Sequence, residues 1–387
     1  MTPPRTTSLE MLAKLVAFDT TSRHSNLALI HFVRDYLAEY GIASTLVHDA
    51  TKQKANLWAT IGPEGDGGVV LSGHTDVVPV DGQAWSTDPW VLTPKDDGRI
   101  YGRGTCDMKA FSAIALAMVP EFQAAGLKVP VHLALSYDEE VGCIGVHGLI
   151  DQIKAIGVKP RLAIIGEPTM MRVVDAHKAI RSFYVEVTGH EAHSSNVHKG
   201  VSAVMVAADL IAKIAEIGRQ LGVEGDATGR FDPPYSTCIA NTIEGGTAQN
   251  ILARKCRFTY EVRSLPGIDG DAIAQRFADY ALGEVLPWIQ RISPDANITI
   301  TRRAMSPPLL PEPGSDVESF VMALAERNAA EAVSYATEAG IFQDAGIPAV
   351  VCGPGDIAQA HQPDEFIEAS QIPRCEAFMR RLIGRLV

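Results

Sequence analysis

Two rhythms of apolar and polar residues divide the chain. In its first part apolar residues come in unbroken runs: ANLWATI (Ala55–Ile61), VVLS (Val69–Ser72), VHLALSY (Val131–Tyr137) and RLAIIG (Arg161–Gly166). Strands buried on both faces have this pattern. Helical patterns lie between them. SLEMLAKLVAFDTTS sets Leu9, Leu12, Leu15 and Val16 at helical spacing, with Ser8 placed to cap the first turn. A second helix is predicted from about Asn26 to Tyr40, ended by Gly41, and the Ala-rich stretch Met108–Ala125 reads as a buried helix. Another helix falls between Tyr137 and Arg161. Such alternation predicts an α/β domain whose mostly parallel sheet is covered on both faces.

After about His177 the rhythm changes. SFYVEVTG alternates apolar and polar residues, a helix follows from about Val201 to Leu221, and TCIANTIEGG and KCRFTYEVRSLPG are strand-like. A helix at Asp271–Leu286 and the strand NITITRR complete the series. Strand, helix, two strands, helix, strand is the order of a small ferredoxin-like α+β sandwich, and the alternation suits a one-sided antiparallel sheet. Beyond Pro307 and PPLLPEP the first pattern returns, with a helix over Val317–Glu331, the strand PAVVCG and a closing helix at Gln371–Leu386. The expected division is one domain from residues 1–177 and 306–387, interrupted by a second at 178–305.

A chain of 387 residues, 46% of them hydrophobic, can bury two such cores. Its net charge of −12 repels phosphate backbones, so nucleic acid is not an expected partner. No apolar run has the length of a bilayer crossing, so no membrane is expected either. MTPPRTTSLEMLAKL has no apolar segment with a cleavage site behind it, and no secretory signal is read there. Six scattered cysteines without a CxxC pair fit reduced, buried thiols in a cytoplasmic protein.

Chemistry gathers where the strands end. VVLSGHTD closes with His74 and Asp76, VHLALSYDEE with Asp138, Glu139 and Glu140, and RLAIIGEPT with Glu167, while PAVVCGPGDIAQAHQPDE leads to His361. Asp107, in GRGTCDMK, stands at the mouth of the Ala-rich helix. Ligands of open α/β sheets bind outside the carboxyl ends of the strands. Singly, each residue has a plainer reading: Asp107 as a helix cap, Glu139–Glu140 as a solvated turn, His361 as a surface residue. Together, two imidazoles and at least three carboxylates make a nitrogen–oxygen shell suited to zinc, cobalt or manganese. If one carboxylate bridges, they suffice for two ions roughly 3.5–4 Å apart.

SGHTDVVP, YGRGTCDMK, SYDEEVG, IGEPT and AHQPDEF, in this order, resemble the signature segments of a family of deacylases and peptidases with a co-catalytic pair of zinc ions. The resemblance spans essentially the whole chain. It implies two Zn2+ per subunit, with Co2+ a possible substitute. His74 and Glu167 would hold one ion, His361 and Glu140 the other, and Asp107 would bridge. Glu139 resembles the general base, and Asp76 the partner that orients the ring of His74. In GHEAHSS, His193 matches a histidine that reaches a neighbouring subunit's site and steadies an oxyanion. Asn250 in AQNILA and Arg263 in YEVRSLPG match substrate-holding positions, with Arg263 forking onto an α-carboxylate. A shared site implies a homodimer formed through the insert, which would act as dimerisation and lid domain. YATEAG and HKAIRS resemble the branch that removes acetate from N2-acetyl-L-ornithine. Within it, Glu338 is expected near the substrate's free amine. Cys106 stands where relatives often carry Ser or Ala, and reads as a small buried side chain.

Overall fold

The computed structural model describes residues 5–223, 225–226 and 228–387; the first four residues of the segment examined for a signal lie outside these. It contains two compact units. One comprises the described residues up to Ala176 with Leu309–Ala332 and Thr337–Val387, and the other His177–Pro308 with Val333–Ala336.

The first unit is built on an eight-stranded sheet. Its strands run, in spatial order, Ser44–His48, Ala55–Ile61, Val131–Ser136, Val69–His74, Leu162–Pro168, Ala349–Gly353, Val174–His177 and Glu331–Val333. The central four are parallel to one another. The first two are antiparallel additions at one edge. The link from His48 to Ala55 is too short for a crossover, so these strands form a hairpin. Strands Val69–His74, Val131–Ser136, Leu162–Pro168 and Ala349–Gly353 are buried throughout, as their unbroken apolar runs require. His74 pairs with Ser136 in register, so the ends of these strands point the same way.

Helices cover the sheet with some departures from the expected pattern. Helix Ser8–Val16 buries Met11, Leu12, Leu15 and Val16, but its cap is Thr7, which forms a reciprocal box with Glu10. The Ala-rich stretch is two helices, Lys109–Ala117 and Val119–Ala124, meeting at Met118. Pro120 lies in the first turn of the second, where its missing N–H leaves no hydrogen bond unmade. The helix expected over Val317–Glu331 is Asp316–Ala325, capped by Ser315 and ended by Glu326 at φ 54°. Gly166 sets how closely a helix approaches the sheet: a Cβ there would lie 2.0 Å from the ring of Phe111. Only glycine lets the helix that starts just after Asp107 lie against the strand that delivers Glu167.

The second unit carries a four-stranded antiparallel sheet ordered Thr237–Gly245, Lys255–Ser264, Ala179–Thr188, Asn297–Ser306. Helices Ala203–Leu221 and Gly270–Ala278 pack on it around Phe258, Tyr260 and Phe277. Counting strands along the unit, the order is 2-3-1-4, as expected of a ferredoxin-like sandwich.

Candidate active site

The site begins at the end of strand Val69–His74. The imidazole of His74 is buried, and its Nδ1 lies 2.8 Å from the backbone carbonyl oxygen of Asp76. A carbonyl only accepts, so that nitrogen carries a proton and Nε2 is turned to the other side. There Asp107 Oδ1 lies at 3.0 Å and Glu167 Oε1 at 3.8 Å. The second oxygen of Asp107 lies 3.3 Å from His361 Nε2, and Glu140 Oε2 lies 3.0 Å from the same nitrogen. One carboxylate thus spans two imidazoles delivered by segments far apart in the chain. Ligand atoms of His74, Glu139 and Glu167 fall within 4.8 Å of one another, as do those of His74, Asp107 and Glu140.

Asp76 departs from expectation. Its carboxylate lies 3.6 Å from the His74 ring, while its backbone carbonyl makes the hydrogen bond. The carboxylate instead accepts the Ser22 hydroxyl at 2.7 Å and the backbone N–H groups of Glu139 and Glu140 at 3.1 and 3.3 Å. It holds the turn that presents both glutamates. Cys143 adds a weak S–H contact to Glu139 at 3.4 Å.

The electrostatics are those of crowded acids. Burial, with the charges of Glu140 and Asp107 added, pushes Glu139 well above the usual carboxylate range. Burial and Asp107 do the same to Glu167, and raise Glu140 to about 7. Asp107 is held low against its burial by the two histidines. His361 is raised to about 10, chiefly by its hydrogen bonds to Asp107 and Glu140, and His74 is raised well above its ordinary value despite burial. One oxygen of Glu140 is buried without a partner. Buried like charges need positive charge among them. A nitrogen–oxygen donor set with an unused carboxylate oxygen fits divalent cations of the zinc or cobalt kind.

Residues 70–385 match the model of the family described as Peptidase family M20/M25/M40. The chain belongs to that family. Among curated relatives, it is 36% identical over 380 residues to the acetylornithine deacetylase of Myxococcus xanthus, covering 96% of each chain. It is 32% identical over 389 residues to that of Pasteurella multocida, covering 97% of each. Among solved structures, an M20-family metallo-carboxypeptidase from Sulfolobus solfataricus aligns with a TM-score of 0.77 at 17% identity, over 97% of this chain and 98% of that one. A dinuclear metal-binding M20 peptidase from Bacillus subtilis aligns at 0.64 and 14%, over 98% and 97%. At these identities the structural likeness is one of fold.

In this M20 member the remaining candidate residues have separate settings. His193, Asn250 and Arg263 belong to the second unit. The backbone N–H of Ser195 donates to His193 Nδ1 at 3.2 Å, so a neutral His193 ring carries its proton on the exposed Nε2. His193 bridges to Ile251, and Asn250 accepts the N–H of Ser194 at 2.9 Å, so His193 and Asn250 sit in paired segments. Arg263 forms an ion pair with Glu261 at 2.9 Å. Glu338 is 1% exposed and presents no carboxylate oxygen to solvent. Starting helix Ala339–Asp344, it is turned into the protein near Ser72 and Ser136. Cys106 is buried, its thiol on the Asp356 carbonyl at 3.1 Å. Sequence reasoning missed Gln83, Arg103 and Glu365. Arg103 and Glu365 lie within the signature segments themselves, and a charged residue beside candidate ligands was the available signal.

No helix among the described residues is long and apolar enough to cross a membrane.

Proposed function

We propose that the chain is a metal-dependent deacetylase that hydrolyses N2-acetyl-L-ornithine to acetate and L-ornithine, a step of arginine biosynthesis in the cytoplasm. The observation that carries the reading is the Asp107 carboxylate placed between His74 and His361, with Glu139 beside them. Relatives named acetylornithine deacetylase, alike over nearly their full length, support the choice of substrate.

His74 and Glu167 would hold one Zn2+, His361 and Glu140 the second, and Asp107 both; Co2+ is the natural substitute. Bound metal of this kind lowers the pKa of water toward about 7 and polarises an acyl oxygen. Glu139 takes one proton from the attacking water. As the C–N bond breaks, Glu139 returns that proton to the leaving nitrogen, so acetate and a free amine result. In the second unit, Asn250 would hold substrate and Arg263 would fork onto its α-carboxylate. In a homodimer, His193 would donate from its Nε2 to the developing oxyanion of the neighbouring site.

The burial of Glu338 favours a second reading, a deacylase of wider range acting on acetylcitrulline or aminoacylase-type substrates. A substrate panel on the metal-loaded protein decides between the two. A preference for acetylmethionine over acetylornithine would remove the ornithine assignment. Glu139→Gln tests the chemistry: both metals stay bound while turnover falls by roughly 10²–10⁴-fold. Retained turnover would remove Glu139 as the base.

A further inference from the structure

His361 is an unusual ligand. His74 ends a buried strand and has its second ring nitrogen fixed by a carbonyl, whereas the His361 side chain is 54% exposed and its backbone sits at φ 63°. Among the described residues no hydrogen-bond partner reaches its Nδ1. Its backbone is held instead. Gln83 Nε2 donates to the His361 carbonyl at 2.9 Å. The other end of that amide accepts from Arg103 Nη2 at 2.6 Å and from Trp85 Nε1 at 3.0 Å. Two donors on the oxygen leave only one orientation for the amide, with its NH2 toward His361.

The contacts continue inward. Arg103 is 1% exposed and its Nη1 donates to Glu365 Oε2 at 2.7 Å. Glu365, also 1% exposed, accepts three backbone N–H groups: Gly104 at 3.1 Å, Cys106 at 2.8 Å and Asp107 at 3.0 Å. Glu365 itself lies four residues beyond His361. A second tie joins the same segments, Ser86 N–H to Asp364 Oδ1 at 2.7 Å.

We propose that Gln83, Arg103 and Glu365 are positioning residues that fix the backbone of His361 against the backbone of Asp107, and that Gln83, at the His361 end, sets the affinity of the metal position that His361 holds. This rests on the reading above, in which those two residues hold metal. The path from the His361 carbonyl to the Asp107 N–H is unbroken, and its inner steps are charge-assisted, hence short and directional. Its outer end, at Gln83, touches only the His361 side, whereas its inner end holds Asp107, which His74 shares; the ring of His74 is itself fixed by its strand and the Asp76 carbonyl. Outer groups that orient a ligand are worth roughly 10–100-fold in metal affinity.

The test is calorimetric titration of Co2+ into the chelator-stripped full-length chain. Arg103 and Glu365 variants leave a buried charge unpaired and can fail to fold, so the informative position is the half-exposed Gln83. Gln83→Leu should weaken one Co2+ by roughly 10–100-fold and leave the other unchanged. Gln83→Glu keeps the acceptor for Arg103 and Trp85 but offers no donor to the His361 carbonyl, and should behave like Gln83→Leu. Equal weakening of both ions, or wild-type binding of both, overturns the proposal. His361→Ala separates this from the functional reading. If His361→Ala still binds two ions, that reading fails. If it loses one while both Gln83 variants bind like wild type, only the positioning role fails.

Discussion

The carboxylate of Asp76 accepts the backbone N–H of Glu139 at 3.1 Å, while the nearest contact of that carboxylate to the His74 ring is 3.6 Å. Asp76 therefore acts on the base turn through its side chain and on the imidazole through its backbone. Asp76→Asn should leave the metal content unchanged, because the carbonyl that fixes His74 survives. The amide turns an NH2 group toward an N–H donor and loosens the turn carrying Glu139. Turnover should fall by roughly 10–100-fold. Metal analysis beside kcat checks this. Loss of one ion without loss of turnover per remaining loaded site would return Asp76 to a ring-orienting role.

Glu338 is as buried as the cluster residues and close enough to His74 and Glu139 for their charges to act on one another. Its oxygens are close enough to Ser136 and Ser72 to be stabilised by them, yet none meets hydrogen-bond geometry. Burial dominates and raises its pKa to about 7. A carboxyl whose folded pKa is raised binds its proton more tightly when folded. Its favourable contribution is complete below about 4.5 and is lost as pH rises through about 7. In the metal-free protein, Glu338→Gln should raise Tm at pH 8, by on the order of 3 kcal/mol of stability, and change it much less at pH 5. Its effect on KM should be equal for acetylornithine and acetylmethionine. A selective rise for acetylornithine would put Glu338 back at the substrate.

His132 gives stability the opposite pH dependence. Its ring stacks on Trp58 with centroids 4.6 Å apart, one nitrogen meets Thr60 Oγ1 at 2.9 Å, and Nε2 is buried without a partner. Burial lowers its pKa to about 4. The folded state resists protonation, so stability is whole above about 6.5 and drains away as pH falls toward 4, by about 3 kcal/mol at the limit. Thermal melts between pH 7 and 4 should show a shallower loss for His132→Gln than for wild type, whatever the offset at pH 7. Parallel curves would mean that His132 is not the titrating group.

What the sequence made legible follows from periodicity. Unbroken apolar runs located the central strands, so the residues just after them, His74, Glu139, Glu140 and Glu167, could be placed at one sheet edge before any coordinate. The antiparallel hairpin at the sheet's edge was hidden, because a buried run looks the same in either direction and only the short link after His48 distinguishes the two. The break at Met118 was missed in the Ala-rich stretch, read as one helix, although Pro120 stands in it as a sign of a new first turn. Atom-level roles were out of reach. Residue type cannot say that Asp76 serves His74 through its carbonyl, nor that Glu365 spends its charge on three backbone N–H groups. Glu338 was assigned by charge alone, and burial, which decides its environment, has no signature at a helix start.

Cys106 is the neighbour of the bridging carboxylate, yet it is built as a packing residue. Its thiol donates to the Asp356 carbonyl at 3.1 Å, and a Cβ on Gly355 would approach its sulfur to 2.8 Å. Burial, with Glu365 and Asp107 adding negative charge, pushes the thiol well above its ordinary pKa. A thiolate is the reactive form, so the folded protein should not react at this position with iodoacetamide at pH 8, whereas the unfolded chain should. Cys106→Ser fills the space and keeps a donor for Asp356. Its turnover and metal content should stay within about threefold of wild type, since hydroxyl-for-thiol exchange here removes no charge and opens only a small gap. Rapid alkylation of the native protein at Cys106, or loss of a metal ion in Cys106→Ser, would instead make the thiol a participant in the site.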